Sequence, residues 1–164
     1  QDPERSAKIF KDGWYVTGDI AYLDKDNFLF ITGREMRISK IAGEMAPHVL
    51  IEEKLIEAMK TLALQAGNKQ DSSSDDSATI PLVVTAVPDE KKGEKLVVLY
   101  VDLPFTPEQI CKQALAQGIL PQLWIPSTLN FKKVDSIPVL GTGKLDLKRI
   151  KQTALDLYGL KDAL

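Results

Sequence analysis

Two apolar, β-branched runs, residues 80–87 and 95–102, constrain the fold of this chain more than any other feature. The charged stretch 88–94 joins them, so they read as the arms of one hairpin. Their apolarity is nearly continuous where a half-exposed strand would alternate. Such strands have to be covered on both faces, so the sheet they form needs helices above and below it.

The rest of the sequence supplies those helices. Ile51, Leu55, Met59 and Leu62 recur at spacings of four, four and three, which predicts one buried helical face, with Pro47 in the first turn and Gly67 at the end. Thr106-Pro107-Glu108-Gln109 predicts a second helix start, with Ile110, Ala114 and Leu115 facing inward and Gly118 closing. A third helix is expected from about Asp146 to Tyr158, with Leu147, Ile150, Ala154 and Leu157 on one face. Residues 128–134 read as a third strand.

Upstream, residues 14–17, 20–23 and 28–32 read as short strands around the turn Asp24-Lys25-Asp26-Asn27. A lone hairpin is marginally stable in water, so this one should have belonged to a larger sheet. Residues 33–36 punctuate the chain, and 37–41 begin a new element. Residues 68–79 hold five Ser/Thr, three Asp and no large apolar side chain, which predicts a mobile loop. The sequence contains no internal repeats. The expected fold is α+β: a small domain with a short three-stranded sheet flanked by helices, preceded by a stray β-hairpin.

Composition narrows the function. The chain has 164 residues, 44% hydrophobic and 27% charged, enough for one domain with a real core or a domain plus a fragment of another. Lys plus Arg is 21 and Asp plus Glu is 23, a net charge of −2, which argues against a broad nucleic-acid-binding face. Cys111 is the only cysteine, so no internal disulfide forms and a reducing, cytoplasmic home is expected. No apolar run approaches the ~20 residues of a membrane helix. No signal-peptide pattern is present, and the polar start at residues 1–6 reads as a cut within a longer protein. No metal-ligand set is read from the sequence.

Pro138-Val139-Leu140-Gly141-Thr142-Gly143-Lys144 invites comparison with a phosphate loop and fails it. Pro138 stands where the first glycine belongs, and Leu145 replaces the Ser/Thr that would hold magnesium. A dinucleotide fingerprint fails as well, because Asp146 stands where the third glycine is required. What remains is a lysine on a flexible tip. An ammonium there suits a transferring phosphoryl oxygen or a polarised carboxylate. A solvated lysine after a turn is the other reading. About 125 residues upstream, Thr17-Gly18-Asp19 offers a carboxylate to vicinal ribose hydroxyls, or is an ordinary turn Asp. Arg34, after Gly33, offers a forked donor for ribose or phosphate oxygens, or a surface ion pair. Gly43, after Lys40-Ile41-Ala42, lets a ligand approach the backbone, or simply turns the chain.

Taken together, these blocks resemble the C-terminal part of the adenylate-forming superfamily of acyl-CoA synthetases, acyl-carrier-protein synthetases, peptide-synthetase adenylation domains and luciferases. Tyr15-Val16-Thr17-Gly18-Asp19 fits that family's Tyr-x-Thr-Gly-Asp motif, whose Asp binds ribose. Gly33-Arg34 fits the pair that closes the large domain, and Lys40-Ile41-Ala42-Gly43 fits the Lys-x-x-Gly turn six residues later. Ile51-Glu52 matches a pair in the first helix, and Pro138 to Lys144 matches the segment carrying the catalytic lysine. The resemblance runs from about Trp14 to Ile150. Two positions depart from it: Met36 stands at the hinge, usually Asp or Lys, and Leu50 where an acid is usual. The strings Lys40-Ile41-Ala42-Gly43-Glu44-Met45 and Pro138 to Lys144 are most similar to one branch, the synthetase half of bifunctional 2-acylglycerophosphoethanolamine acyltransferase/acyl-carrier-protein synthetases.

The resemblance implies that residues 1–35 are the last strands of a large N-terminal adenylate-binding domain, and that 36–164 are the mobile C-terminal domain. It implies ATP or AMP with Mg2+, bound mainly by the missing N-terminal domain. It also implies a fatty acid, and the phosphopantetheine of acyl carrier protein or CoA as acceptor. Lys144 would be catalytic, Asp19 and Arg34 would bind nucleotide, Met36 would be the hinge, and Lys40, Gly43 and Glu44 would line the pantetheine approach. The isolated fragment is expected to be inactive and cytoplasmic, with attachment of its parent to the cytoplasmic membrane face left open. A non-catalytic carrier-protein docking module of the same fold, or a plain acyl-CoA ligase, are the alternatives.

Overall fold

Residues in the left-handed region shape the first of two compact units into which the chain divides, at the Arg37/Ile38 junction. The computed structural model describes residues 10–67 and 80–160. In this first unit β1 (Phe10–Lys11) pairs antiparallel with β2 (Trp14–Tyr15) across Asp12 and Gly13, both at positive φ. A second hairpin joins β3 (Asp19–Leu23) to β4 (Leu29–Arg34). Its turn is held by Asp24, whose Oδ1 accepts the amides of Asp26 and Phe28, both at 2.9 Å, while Asn27 takes φ 64°. The expected 20–23/28–32 hairpin is therefore present. Of the expected 14–17 strand only Trp14–Tyr15 forms, and it pairs with Phe10–Lys11. Trp14 is 79% exposed, and Tyr22, Leu23, Phe28, Leu29 and Ile31 are all more than half exposed. The two-stranded β3–β4 sheet is marginal by itself.

In the second unit a five-stranded sheet replaces the expected three-stranded one. β5 (Ile38–Ile41) and β6 (Glu44–Pro47) form a tight hairpin. β7 (Leu82–Asp89) pairs with β8 (Gly93–Tyr100) along its whole length. The opposite edge of β8 is shared: Gly93 meets Ile41 of β5, and Val98, Leu99 and Tyr100 meet β9 (Phe131–Lys133) in parallel. Only three residues of the expected 128–134 strand are extended, because Thr128–Asn130 forms a 3-10 turn. The β5–β6 hairpin turns on Ala42 (φ 49°) and Gly43 (φ 95°); the turn at Gly43 is expected from the sequence, while the paired strands on either side of it are not.

Alternation along β7 and β8 divides the core, as their continuous apolarity requires. Leu82, Val84, Leu96 and Val98 face α1 (His48–Gln65) and α2 (Pro107–Ala116). Val83, Val87, Val97 and Leu99 face α3 (Leu147–Leu157). Pro47 ends β6 and caps α1 with an extended ψ of 116°, one residue before the helical turn expected to contain it. No side chain caps α1, so its buried face of His48, Ile51, Leu55, Ala58 and Met59 holds it. Two inward assignments are corrected. Leu115 of α2 is 52% exposed and Cys111 takes its place, and Leu157 of α3 is 48% exposed while Leu155 is buried. Burial pushes the Cys111 thiol up to about 11, with Glu108 adding to it, so this cysteine is an inert core residue.

α2 also bridges the parallel β8–β9 connection, which needs a long crossover. Its start is a capping box: the Gln109 amide donates to Thr106 Oγ1 at 3.3 Å, and Gln109 Oε1 accepts the Thr106 amide at 2.9 Å. Thr106→Ala should therefore destabilise the 164-residue chain by about 1 kcal/mol, read as a lower urea midpoint at unchanged slope. The tract 68–79, expected to be a mobile loop, lies outside the described residues. Among the described residues no helix is long and apolar enough to cross a membrane.

Candidate functional site

The glycine-rich segment before α3 folds as a small hydrogen-bonded hairpin. Leu140 N donates to Lys144 O at 2.7 Å, Gly143 N donates to Leu140 O at 2.9 Å, and Asp146 N donates to Pro138 O at 3.0 Å. Val139 bridges Leu145 antiparallel. A three-residue loop ending on a left-handed glycine is a favoured hairpin closure, and Gly143 fills that position at φ 81°. Lys144 follows at once, exposed, with its backbone carbonyl fixed by Leu140. It does not open the helix: Asp146 caps α3, its carboxylate accepting the Arg149 amide at 3.1 Å. The tip is thus a lysine on a braced turn, not on a slack loop. Among the described residues no carboxylate forms an ion pair with Lys144, which leaves its ammonium available to an incoming anion.

Lys40, Gly43 and Glu44 come together at the β5–β6 turn, all exposed. A Cβ built on Gly43 meets nothing within 4 Å, so the space above this backbone is open. The turn is tied down from the β7–β8 side. Ala42 N donates to Lys92 O at 2.9 Å, and Lys40 N donates to Glu94 Oε2 at 2.7 Å. Behind it, Ser39 Oγ lies 2.8 Å from His48 Nε2, both side chains buried, which fastens β5 to the start of α1.

In the first unit, Asp19 and Arg34 are directly opposite in the β3–β4 register, and Arg34 Nε lies 2.8 Å from Asp19 Oδ1. Thr17 Oγ1 accepts the Asp19 amide at 3.1 Å, and Gly18, at φ 72°, turns the chain into the strand. An acceptor carboxylate and a forked donor therefore share one end of the hairpin, the pair of groups that a vicinal diol or a phosphate ester would address. Met36 is 55% exposed in the 3-10 turn Glu35–Arg37, next to the junction of the two units. Ile51 is buried in the core, and Glu52 Oε1 accepts the Val84 amide on edge strand β7 at 2.6 Å, a structural role that the motif did not disclose. Sequence reasoning also missed Glu94 and Lys151, whose spacing carries no motif. Among the described residues no cluster of His, Cys, Asp and Glu could hold a metal ion.

No family model matches the chain. It is similar to the long-chain-fatty-acid–CoA ligase of Bacillus subtilis strain 168, with 26% identity over 162 residues, 97% of this chain and 25% of the relative. It is similar to luciferin 4-monooxygenase of Photuris pensylvanica, with 30% identity over 148 residues, 89% of this chain and 24% of the relative. It is also similar to the fatty acid–[acyl-carrier-protein] ligase ScoC of Streptomyces coeruleorubidus, with 29% identity over 146 residues, 87% of this chain and 24% of the relative. Among solved structures, ATP-bound MatB from Rhodopseudomonas palustris shares the fold at TM-score 0.63 and 21% identity, covering 95% of this chain and 27% of that one. The amide bond synthetase McbA from Marinactinospora thermotolerans matches at TM-score 0.51 and 26% identity, covering 93% and 27%. The chain thus spans about a quarter of the length of the proteins it matches. Ligases that join a carboxylic acid to CoA or to an acyl carrier protein recur among the relatives.

Proposed function

We propose that this chain is the C-terminal part of an ATP-dependent acyl-activating ligase of the adenylate-forming superfamily. On this reading residues 1–35 complete a large nucleotide-binding domain and 36–164 form the small domain that rotates over it about Met36. The observation that carries the reading is the extent of similarity to acid–thiol ligases: 97% of this chain in a fatty acid–CoA ligase and 87% in a fatty acid–carrier-protein ligase.

The reaction has two steps. A fatty-acid carboxylate oxygen attacks the α-phosphorus of ATP, pyrophosphate leaves, and an acyl-adenylate forms. The pantetheine sulfur then attacks the acyl carbon, its proton is lost, and AMP leaves with the carboxylate oxygen. Lys144 would stabilise charge on the carboxylate and α-phosphate oxygens in the first step. Asp19 would accept from the ribose hydroxyls and Arg34 would donate to ribose or phosphate oxygens. The 40–44 turn would line the approach of the thiol in the second step, and rotation of the domain lets one body serve both. ATP and Mg2+ would be held mainly by the part of the enzyme outside this chain.

The thiol would belong to acyl carrier protein or CoA; on the branch reading, an enzyme resembling the synthetase half of 2-acylglycerophosphoethanolamine acyltransferase/acyl-carrier-protein synthetases, we propose acyl carrier protein. Lys40-Ile41-Ala42-Gly43-Glu44-Met45 and Pro138 to Lys144 support that branch. The number of CoA ligases among the relatives favours a plain acyl-CoA ligase as the second reading. The parent enzyme should show fatty-acid-dependent pyrophosphate exchange and should form thioesters faster with holo acyl carrier protein than with CoA. Absence of exchange would refute the ligase, and preference for CoA would refute the branch. The 164-residue chain alone should bind AMP more weakly than the micromolar range, because one carboxylate and one guanidinium do not enclose a ligand. Micromolar binding in calorimetry would contradict the proposed division of the site.

A further inference from the structure

The β5–β6 turn is held by fewer strand bonds than its position suggests. β5 meets β8 at a single pair, Ile41 with Gly93, so the neighbouring Lys40 amide has no ladder partner on that side. On this exposed turn water could serve that amide, whereas a side-chain acceptor ties the backbone to the neighbouring strand. Glu94, one residue beyond the last paired position, supplies it: its Oε2 accepts the Lys40 amide at 2.7 Å. The bond is short, as expected where the acceptor is charged. The other carboxylate oxygen faces Lys151 of α3, Nζ to Oε1 at 3.7 Å, and the same Nζ donates to Ala86 O on β7 at 2.7 Å. Glu94 and Lys151 side chains are 32% and 30% exposed, partly withdrawn from water. A chain of contacts thus runs from α3 and β7, through Lys151 and Glu94, to the backbone of the 40–44 turn. Ala42 N to Lys92 O is the second tie.

We propose that Glu94 is a positioning residue for the thiol-transfer step: it fixes the backbone of the 40–44 turn, and Lys151 orients its carboxylate. The role rests on the ligase reading above, in which that turn lines the path of the thiol. The bonds of Glu94 described above go to Lys40 and Lys151, whereas the backbone bonds that close the Lys144 hairpin lie within residues 138–146. Its loss should therefore act on one half-reaction.

Two measurements test this, and they fail independently. In the 164-residue chain, Glu94→Ala should speed hydrogen exchange of the Lys40 amide at least tenfold and leave the Val97 and Leu99 amides unchanged, while Glu94→Gln, which keeps a carbonyl acceptor, should restore most of the protection. Unchanged exchange at Lys40 in Glu94→Ala would overturn the clamp whatever the enzyme does. In the parent enzyme, Glu94→Ala should raise the KM for the thiol acceptor and cut transfer from pre-formed acyl-adenylate roughly ten- to a hundredfold, as small misplacements do. Pyrophosphate exchange should stay within about twofold of wild type, and Glu94→Gln should recover transfer. Equal losses in both half-reactions, or no recovery with glutamine, would reduce Glu94 to a general structural residue and overturn the proposal. A wild-type parent that forms no adenylate would overturn the ligase reading itself, and with it the catalytic consequence of the clamp.

Discussion

Replacing Lys144 by alanine in the parent enzyme is expected to slow adenylate formation by about 10²–10³, the loss typical of one preorganised electrostatic donor. Transfer from pre-formed acyl-adenylate to the thiol should change little. The geometry makes this a clean substitution. Lys144 is exposed, and the hairpin that presents it is closed by backbone bonds, Leu140 N to Lys144 O and Gly143 N to Leu140 O, which alanine retains. Asp146, not Lys144, caps α3, so the helix keeps its start. The melting temperature of the 164-residue chain should therefore move by less than about 2 °C, since surface changes away from such features cost little. Pyrophosphate exchange and thioester formation from synthetic adenylate separate the two steps. Equal losses in both would point to general binding and remove the two-step assignment. Normal exchange would leave Lys144 as a solvated lysine after a turn.

That hairpin also shows where the sequence was informative. Composition exposed the glycines but not their use: Gly143 occupies the left-handed position that the closure demands, while Gly141 does not adopt positive φ. The β7–β8 hairpin and the three helices were legible because burial on both faces leaves a strong record in apolar residue type and spacing. Of the β5–β6 hairpin only the turn at Gly43 was, since four-residue strands carry little periodicity. Leu115 and Leu157 misled for a related reason. A leucine next to a helical stripe is easily assigned inward, yet Cys111 and Leu155 already fill those sites. The opposition of Asp19 and Arg34 depends on strand register across a bulge at Ile20/Ala21, which no local pattern encodes. Glu94 and Lys151 were invisible for the strongest reason: their partners are a backbone amide and a backbone carbonyl 54 and 65 residues away, and any residue type can supply those.

Gly43 provides the complementary experiment to Lys144, aimed at the second step. Gly43→Val in the parent enzyme is expected to reduce thiol transfer by about ten- to a hundredfold while sparing adenylation. Two effects are combined in that variant, and the structure separates them. Gly43 sits at φ 95°, where a β-branched residue is strained by about 1–3 kcal/mol, so valine should lower the melting temperature of the 164-residue chain. Space is not the cause of that loss, because a Cβ at this position meets nothing within 4 Å. The same open space is what a pantetheine chain would use. Gly43→Asn weighs the two effects differently: asparagine is less strained than valine at positive φ, so the melting temperature should fall less while its side chain still projects into the approach path. If transfer falls equally in both variants although melting falls less in asparagine, occlusion of the thiol's path is the cause. If asparagine transfers normally and only valine is impaired, the turn matters for its backbone shape alone, and the path of the thiol lies elsewhere.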